Sequence, residues 1–345
     1  MTARQLKRLL FAETKGKTIA RPSKRPIAGW LALTESVVYE TLRDHEPAVL
    51  LTEGDPESLT VSQRCQALRA YIERYGRGGW RGLSVPSIQI HRFATPELGP
   101  EINLQWSRGI ENSEVCELLL NIVETGRITD CSAIAHEVAL STKSPTGERL
   151  AAIEALAALN DLRLDSLTAG IADDATQWPD KIARCIAVRL FPKHLSVARL
   201  CQILARVKEN KGMVGDLSWH LPDLIGKSDL SQAELVALRD GLQDLISDGL
   251  QWRNDWSPLA SDRSYLSNAL AATCIRGLRA DVTDEWLYAS VLALRVLHGE
   301  DGSNEVISRL QKLLTELPAA ENTRLFWIED ALMQSLSPSS DSWKR

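Results

Sequence analysis

Gly16-Lys17-Thr18 matches the end of the GxxxxGK[ST] loop, whose backbone amides cradle a nucleotide phosphate. The motif needs a second glycine five residues earlier, where Phe11 stands, and no apolar strand leads into it. ATP binding is therefore not expected there. His136-Glu137 opens an HExxH zinc-protease helix, but Leu140 occupies the second ligand position. Without it two imidazoles cannot meet one metal on a helix face. The six His are scattered singly and the six Cys form no CxxC pair. No GxSxG elbow occurs. Asp173-Asp174 and Glu300-Asp301 pair carboxylates, but at helix ends or turns, where acids are usually solvated. No catalytic residue, cofactor site or metal site is assigned.

Two segments can recognise a partner. Residues 76–82, GRGGWRG, set Trp80 among four glycines with Arg77 and Arg81 on either side. Such a loop can bind an anion through backbone amides and guanidinium groups. The plainer role is to allow positive φ angles while Trp80 anchors the loop on neighbouring helices. Trp252 and Trp256, beside Arg253 and Asp255, form a second aromatic pair, suited to a contact surface or to hinge packing. The candidate interaction surface is accordingly Arg77, Trp80, Arg81, Trp252 and Trp256.

The elements that carry these segments read as helices. Val61, Cys65, Leu68, Ile72 and Tyr75 recur every three or four residues, one stripe of a helix over 60–75. Thr60 with Gln63 can cap its start, and Gly76 can end it. Val115, Leu118, Leu119, Ile122 and Val123 form the next stripe, behind Asn112. Residues 149–161, RLAAIEALAALND, mix small Ala with Leu and Ile, as closely packed helix pairs require. Ser196 and the Ser231/Glu234 capping box start two more helices, and others are expected at about 265–279, 284–298, 303–316 and 321–336. The best strand candidate, residues 87–91, is short. Paired short helices with polar turns predict an all-α fold, a degenerate HEAT/armadillo-like α-solenoid of short antiparallel helix pairs. A single globular bundle is the structural alternative.

Charge and composition divide the chain. Ten Trp stand against four Phe and five Tyr, and 44 % of residues are hydrophobic, as in a folded protein. Net charge is −5, yet residues 1–26 hold eight Lys/Arg against Glu13, a net of +7, which leaves −12 for the rest. The expected organisation is a basic, solvated leader at 1–26, a helical-repeat region at 27–207, a connector at 208–230, a C-terminal helical region at 231–336 and a polar tail at 337–345. Nucleic-acid contact is expected only through residues 1–26, since phosphate binding relies on clustered cations. No apolar run is long enough to cross a membrane, and the N-terminus lacks a secretory h-region. With no paired Cys, the expected location is the cytoplasm, without disulfides.

Residues 21–33 (RPSKRPIAGWLAL), 45–59 (HEPAVLLTEGDPESL), 73–83 (ERYGRGGWRGL) and 149–161 resemble the helical region that follows the ATPase core in large bacterial NACHT/STAND-type NTPases. The resemblance implies a sensor or autoinhibitory scaffold working with an ATPase module in cis or in trans, often in defence. The Walker A loop and acidic motif of that family are absent here, so none of its catalytic residues is carried over. The expected function is a non-catalytic recognition or scaffold module with a protein partner. The alternative is a DNA-binding enzyme on a HEAT-like scaffold, such as an alkylpurine glycosylase, which needs a basic groove.

Overall fold

The structure is a computed structural model and describes residues 2–14, 16–174, 176–207, 216–252, 259–296 and 305–336. The chain divides into two compact units, residues 1–164 and 165–345. Nineteen α-helices and four short strands occur among the described residues, so the fold is all-α. No helix of the described residues is long and apolar enough to cross a membrane.

The basic leader, expected to be a solvated segment, is folded. Thr2 and Gln5 form a capping box that starts α1 (Ala3–Leu10). Leu6 and Leu10, one turn apart, bury the inner face of that helix. The chain then runs directly into an antiparallel hairpin of β1 (Phe11–Thr14) and β2 (Lys17–Ala20), with Phe11 opposite Ala20. Gly16, at φ +73°, lies in its turn, so the glycine of the P-loop near-miss serves a tight bend. Buried Glu46 accepts from the Ala20 amide and from Arg25, which opens α2 (Arg25–Leu31). Two buried leucines and one carboxylate thus fix a segment whose charge pattern reads as solvated.

There follow α3 (Ser36–His45), α4 (Ala48–Thr52), α5 (Val61–Tyr75), α6 (Ser87–Phe93), α7 (Gly99–Ser107), α8 (Ser113–Gly126), α9 (Ser132–Leu140) and α10 (Thr146–Ala158). The capping box of Thr60 and Gln63 is present, and Asn112 caps α8. The strand candidate at 87–91 is helix α6 instead: Ile90 and Phe93, three apart, are its buried side chains, whereas Ile88 is exposed. Neighbouring helices pack as α8 on α10, α9 on α10, α6 on α8, α5 on α7 and α3 on α5. Each therefore meets the next helix or the next but one.

The second unit holds α11 (Leu164–Asp173, whose first residue closes the first unit), α12 (Asp180–Leu190), α13 (Val197–Arg206), α14 (Asp216–Lys227) and α15 (Gln232–Ser247). After the strand pair β3 (Gln251–Trp252) and β4 (Leu259–Ala260) come α16 (Ser267–Ala280), α17 (Asp284–Arg295), α18 (Glu305–Thr315) and α19 (Ala319–Leu336). Helix α14 occupies much of the expected connector, with Leu217, Leu221 and Ile225 buried at four-residue spacing. Pro222 inside that helix obscured it in the sequence. Helix α16 is buried almost all round, packed by α14, α15, α17 and α18. Gly277 lets the buried Trp286 ring lie against α16, and the Arg239 guanidinium lies 4.6 Å from the centre of that ring.

Candidate interaction surface

The glycine-rich loop is held from below by the start of α8. The Asn112 side chain caps that helix by accepting from the Glu114 amide at 3.0 Å. Its amide nitrogen donates to the Tyr75 carbonyl at 3.0 Å and the Trp80 carbonyl at 3.2 Å, so one side chain grips both ends of the turn. The amides of Glu111 and Asn112 both donate to the Gly76 carbonyl. The Glu114 carboxylate accepts from Gly82 at 3.2 Å and Leu83 at 2.7 Å. Gly78 and Gly82 adopt φ of +83° and +72°, which other residues reach only with strain. The backbone amides that would have cradled an anion at the end of the loop are therefore bound by the protein's own glutamate.

What the loop presents is its side chains. The Trp80 ring meets Tyr75 edge-on at 5.3 Å and remains 47 % exposed. Arg77 and Arg81 are exposed, and neither forms an ion pair among the described residues. The Arg74 guanidinium lies 5.7 Å from the centre of the Tyr75 ring, and its Nε is buried without a hydrogen-bond partner among the described residues. Arg74 lines a groove of about 610 Å³ between α3 and α5, together with Arg43, Asp44, Gln66, Arg69 and Glu73. Arg43 bonds Asp44 and Gln66 there. Arg69 makes a two-pronged bond to buried Glu101, at 3.0 and 2.5 Å, and holds that carboxyl below the usual range.

A second cluster escaped the sequence. Glu114 and Glu117 line a smaller pocket of about 370 Å³ next to the loop. The Ser113 hydroxyl lies 3.4 Å from Glu117 and bonds buried Glu148 of α10, whose pKa is raised by burial and by Glu117 nearby. The two glutamates are thirty-one positions apart, and only the packing of α8 on α10 joins them. A Cβ added at Gly147 would crowd the Glu117 carboxyl group, which would have to swing aside.

The remaining candidates lie elsewhere. Trp252 is half-buried on β3, opposite Leu259, and belongs to the second unit; Trp256 lies outside the described residues. The structure thus brings Arg77, Trp80 and Arg81 together on one loop, in a different unit from Trp252. The Asp174 carboxylate accepts from the Thr176 and Gln177 amides in a local turn. The Glu300-Asp301 pair and the tail at 337–345 lie outside the described residues. All six cysteines are free. Burial pushes the Cys116, Cys131 and Cys274 thiols up to about 12, and Cys201 to about 11, so all four are protonated at neutral pH. Among the described residues no three His, Cys, Asp or Glu side chains group as metal ligands.

No protein-family model matches the chain, and no significant match was found among curated proteins or solved structures.

Proposed function

We propose that this chain is a non-catalytic recognition and scaffold module that binds a protein partner through Trp80, Arg77 and Arg81. The carrying observation is the loop itself. It is pinned through Asn112 and Glu114, yet it holds out a half-exposed Trp and two Arg that form no ion pair among the described residues. Trp and Arg are the residue types on which interface energy concentrates, and a preorganised loop loses little entropy on binding. The reading includes a degenerate HEAT/armadillo-like solenoid within each unit, supported by packing of most helices on their next and next-but-one neighbours. It also includes a cytoplasmic location, supported by six free cysteines. The more specific role, sensor or regulatory part of a STAND-type NTPase in defence signalling, rests on the sequence resemblance over residues 21–33, 45–59, 73–83 and 149–161.

The test is photo-crosslinking from position 79 in the full chain, expressed in its own cells. A Cβ there meets no heavy atom within 4 Å, so the probe's side chain leaves the backbone into open space. The expected product is one dominant crosslinked protein, lost in the R77E/W80A/R81E variant. A P-loop ATPase as that protein supports the STAND role, and a different protein removes that role while leaving the module. Crosslinks that persist unchanged in the variant would overturn the proposed surface.

A further inference from the structure

The folded N-terminal segment displays its cations in an ordered way. Arg4 and Arg8 lie one turn apart on α1, away from the buried Leu6 and Leu10. The Arg21 amide donates to the Leu10 carbonyl at 2.8 Å, and its guanidinium reaches the Arg8 carbonyl at 3.5 Å. The three guanidinium groups therefore form a row from the helix onto the end of the hairpin. Lys7 is exposed on the same helix, and Lys17 is exposed next to the hairpin turn. Arg25 is matched by Glu46, but Arg4, Lys7, Arg8, Lys17 and Arg21 make no ion pair among the described residues. Glu13 is the one acid in residues 1–26. Like charges fixed side by side repel, and a polyanion relieves that repulsion.

We propose that this row binds the phosphate backbone of a nucleic-acid duplex. A duplex offers anions at fixed spacing, about one per 1.7 Å of axis, so a rigid row meets it without an ordering step. An acidic peptide would have to be ordered first. A lipid surface fits less well, because α1 buries Leu6 and Leu10 in the protein's core and leaves only Leu9 of its leucines exposed, too little apolar surface for insertion. Arg is also the side chain best shaped for two-pronged phosphate contact. This surface is separate from the 76–82 loop, and neither proposal depends on the other.

The experiment measures anisotropy of the full chain with labelled DNA and RNA duplexes of about 24 mixed-sequence base pairs, across roughly 50 to 200 mM salt. Three to five phosphate contacts predict a log–log slope of about −2.7 to −4.5, a loss of roughly 40- to 500-fold over that range. R4E/R8E/R21E weakens binding tenfold or more. Because Arg21 touches the Arg8 backbone, R4Q/R8Q is the gentler variant, and it reduces the slope by about two. R77E/R81E leaves duplex binding unchanged, which separates this proposal from the loop. Binding to DNA alone or RNA alone assigns the duplex type. No salt-dependent binding at the lowest salt overturns the proposal. So does an unchanged slope in R4Q/R8Q, or capture by phosphatidylserine-rich vesicles without duplex binding.

Discussion

Replacing Asn112 with serine separates the two tasks of one side chain. Serine still caps α8, since its hydroxyl can accept from the amides of the first turn. It cannot supply the two donors that Asn112 gives to the Tyr75 and Trp80 carbonyls at 3.0 and 3.2 Å. Each lost bond to a sheltered carbonyl costs about 1 kcal/mol, so the closed loop is destabilised by about 2 kcal/mol. At about 1.4 kcal/mol per factor of ten, the open population rises roughly thirtyfold. Arg77 and Arg81 are natural trypsin sites on that loop. When reclosing is fast, cleavage tracks the open population, so tryptic cutting at these two bonds should accelerate roughly thirtyfold in N112S. N112A loses the cap as well, adding about 1 kcal/mol to the destabilisation of α8. Proteolysis suits this question better than global unfolding, because two compact units need not melt as one. Cutting in N112S within about twofold of wild type would refute the claim that Asn112 pins the loop.

Other outcomes follow from buried groups. Glu101 is held below its usual pKa by Arg69, so its stabilisation is present above the unfolded carboxyl pKa and is lost as pH falls through the folded value. E101Q should lower stability at pH 7 by about 1–2 kcal/mol, a figure already reduced because Arg69 is 44 % exposed, and the gap to wild type should close in acid. Glu148 has the opposite sign: its folded pKa is raised by burial, so stability is present below the unfolded pKa and falls as pH rises through the folded one. E148Q should therefore melt higher than wild type at pH 8 and show a flatter pH profile; a lower melting temperature at pH 8 would contradict this. G277A puts a Cβ 2.4–2.5 Å from three atoms of the Trp286 ring, and overpacking there should cost about 1–3 kcal/mol despite the better helix propensity of alanine, as read by urea unfolding. R77E/R81E should change stability by less than about 0.5 kcal/mol, because both side chains are exposed and neither forms an ion pair among the described residues.

The helices of this protein are written locally, and so they were legible. The stripe from Val61 to Tyr75, the Thr60/Gln63 and Ser231/Glu234 boxes and the Asn112 and Ser196 caps depend on residues three or four positions apart. Where apolar positions were few or interrupted, the local signal failed: α1 rests on two buried leucines, α14 contains Pro222, and the Ile88/Ile90 alternation resembled a strand. The candidate surface was legible only in part. Sequence picked out Arg77, Trp80 and Arg81, because glycines around a Trp mark a loop that must bend. It could not show that Asn112 and Glu114, some thirty residues later, would take up that loop's carbonyls and amides. Nor could it join Glu117 to Glu148, or set Arg21 against Arg8. Helical periodicity needs only the backbone's own 3.6-residue turn, whereas these partnerships arise when separate elements are pressed together to bury apolar surface. Sequence alone determined most of the helices; the tertiary structure decided which charges were paired and which loop was pinned.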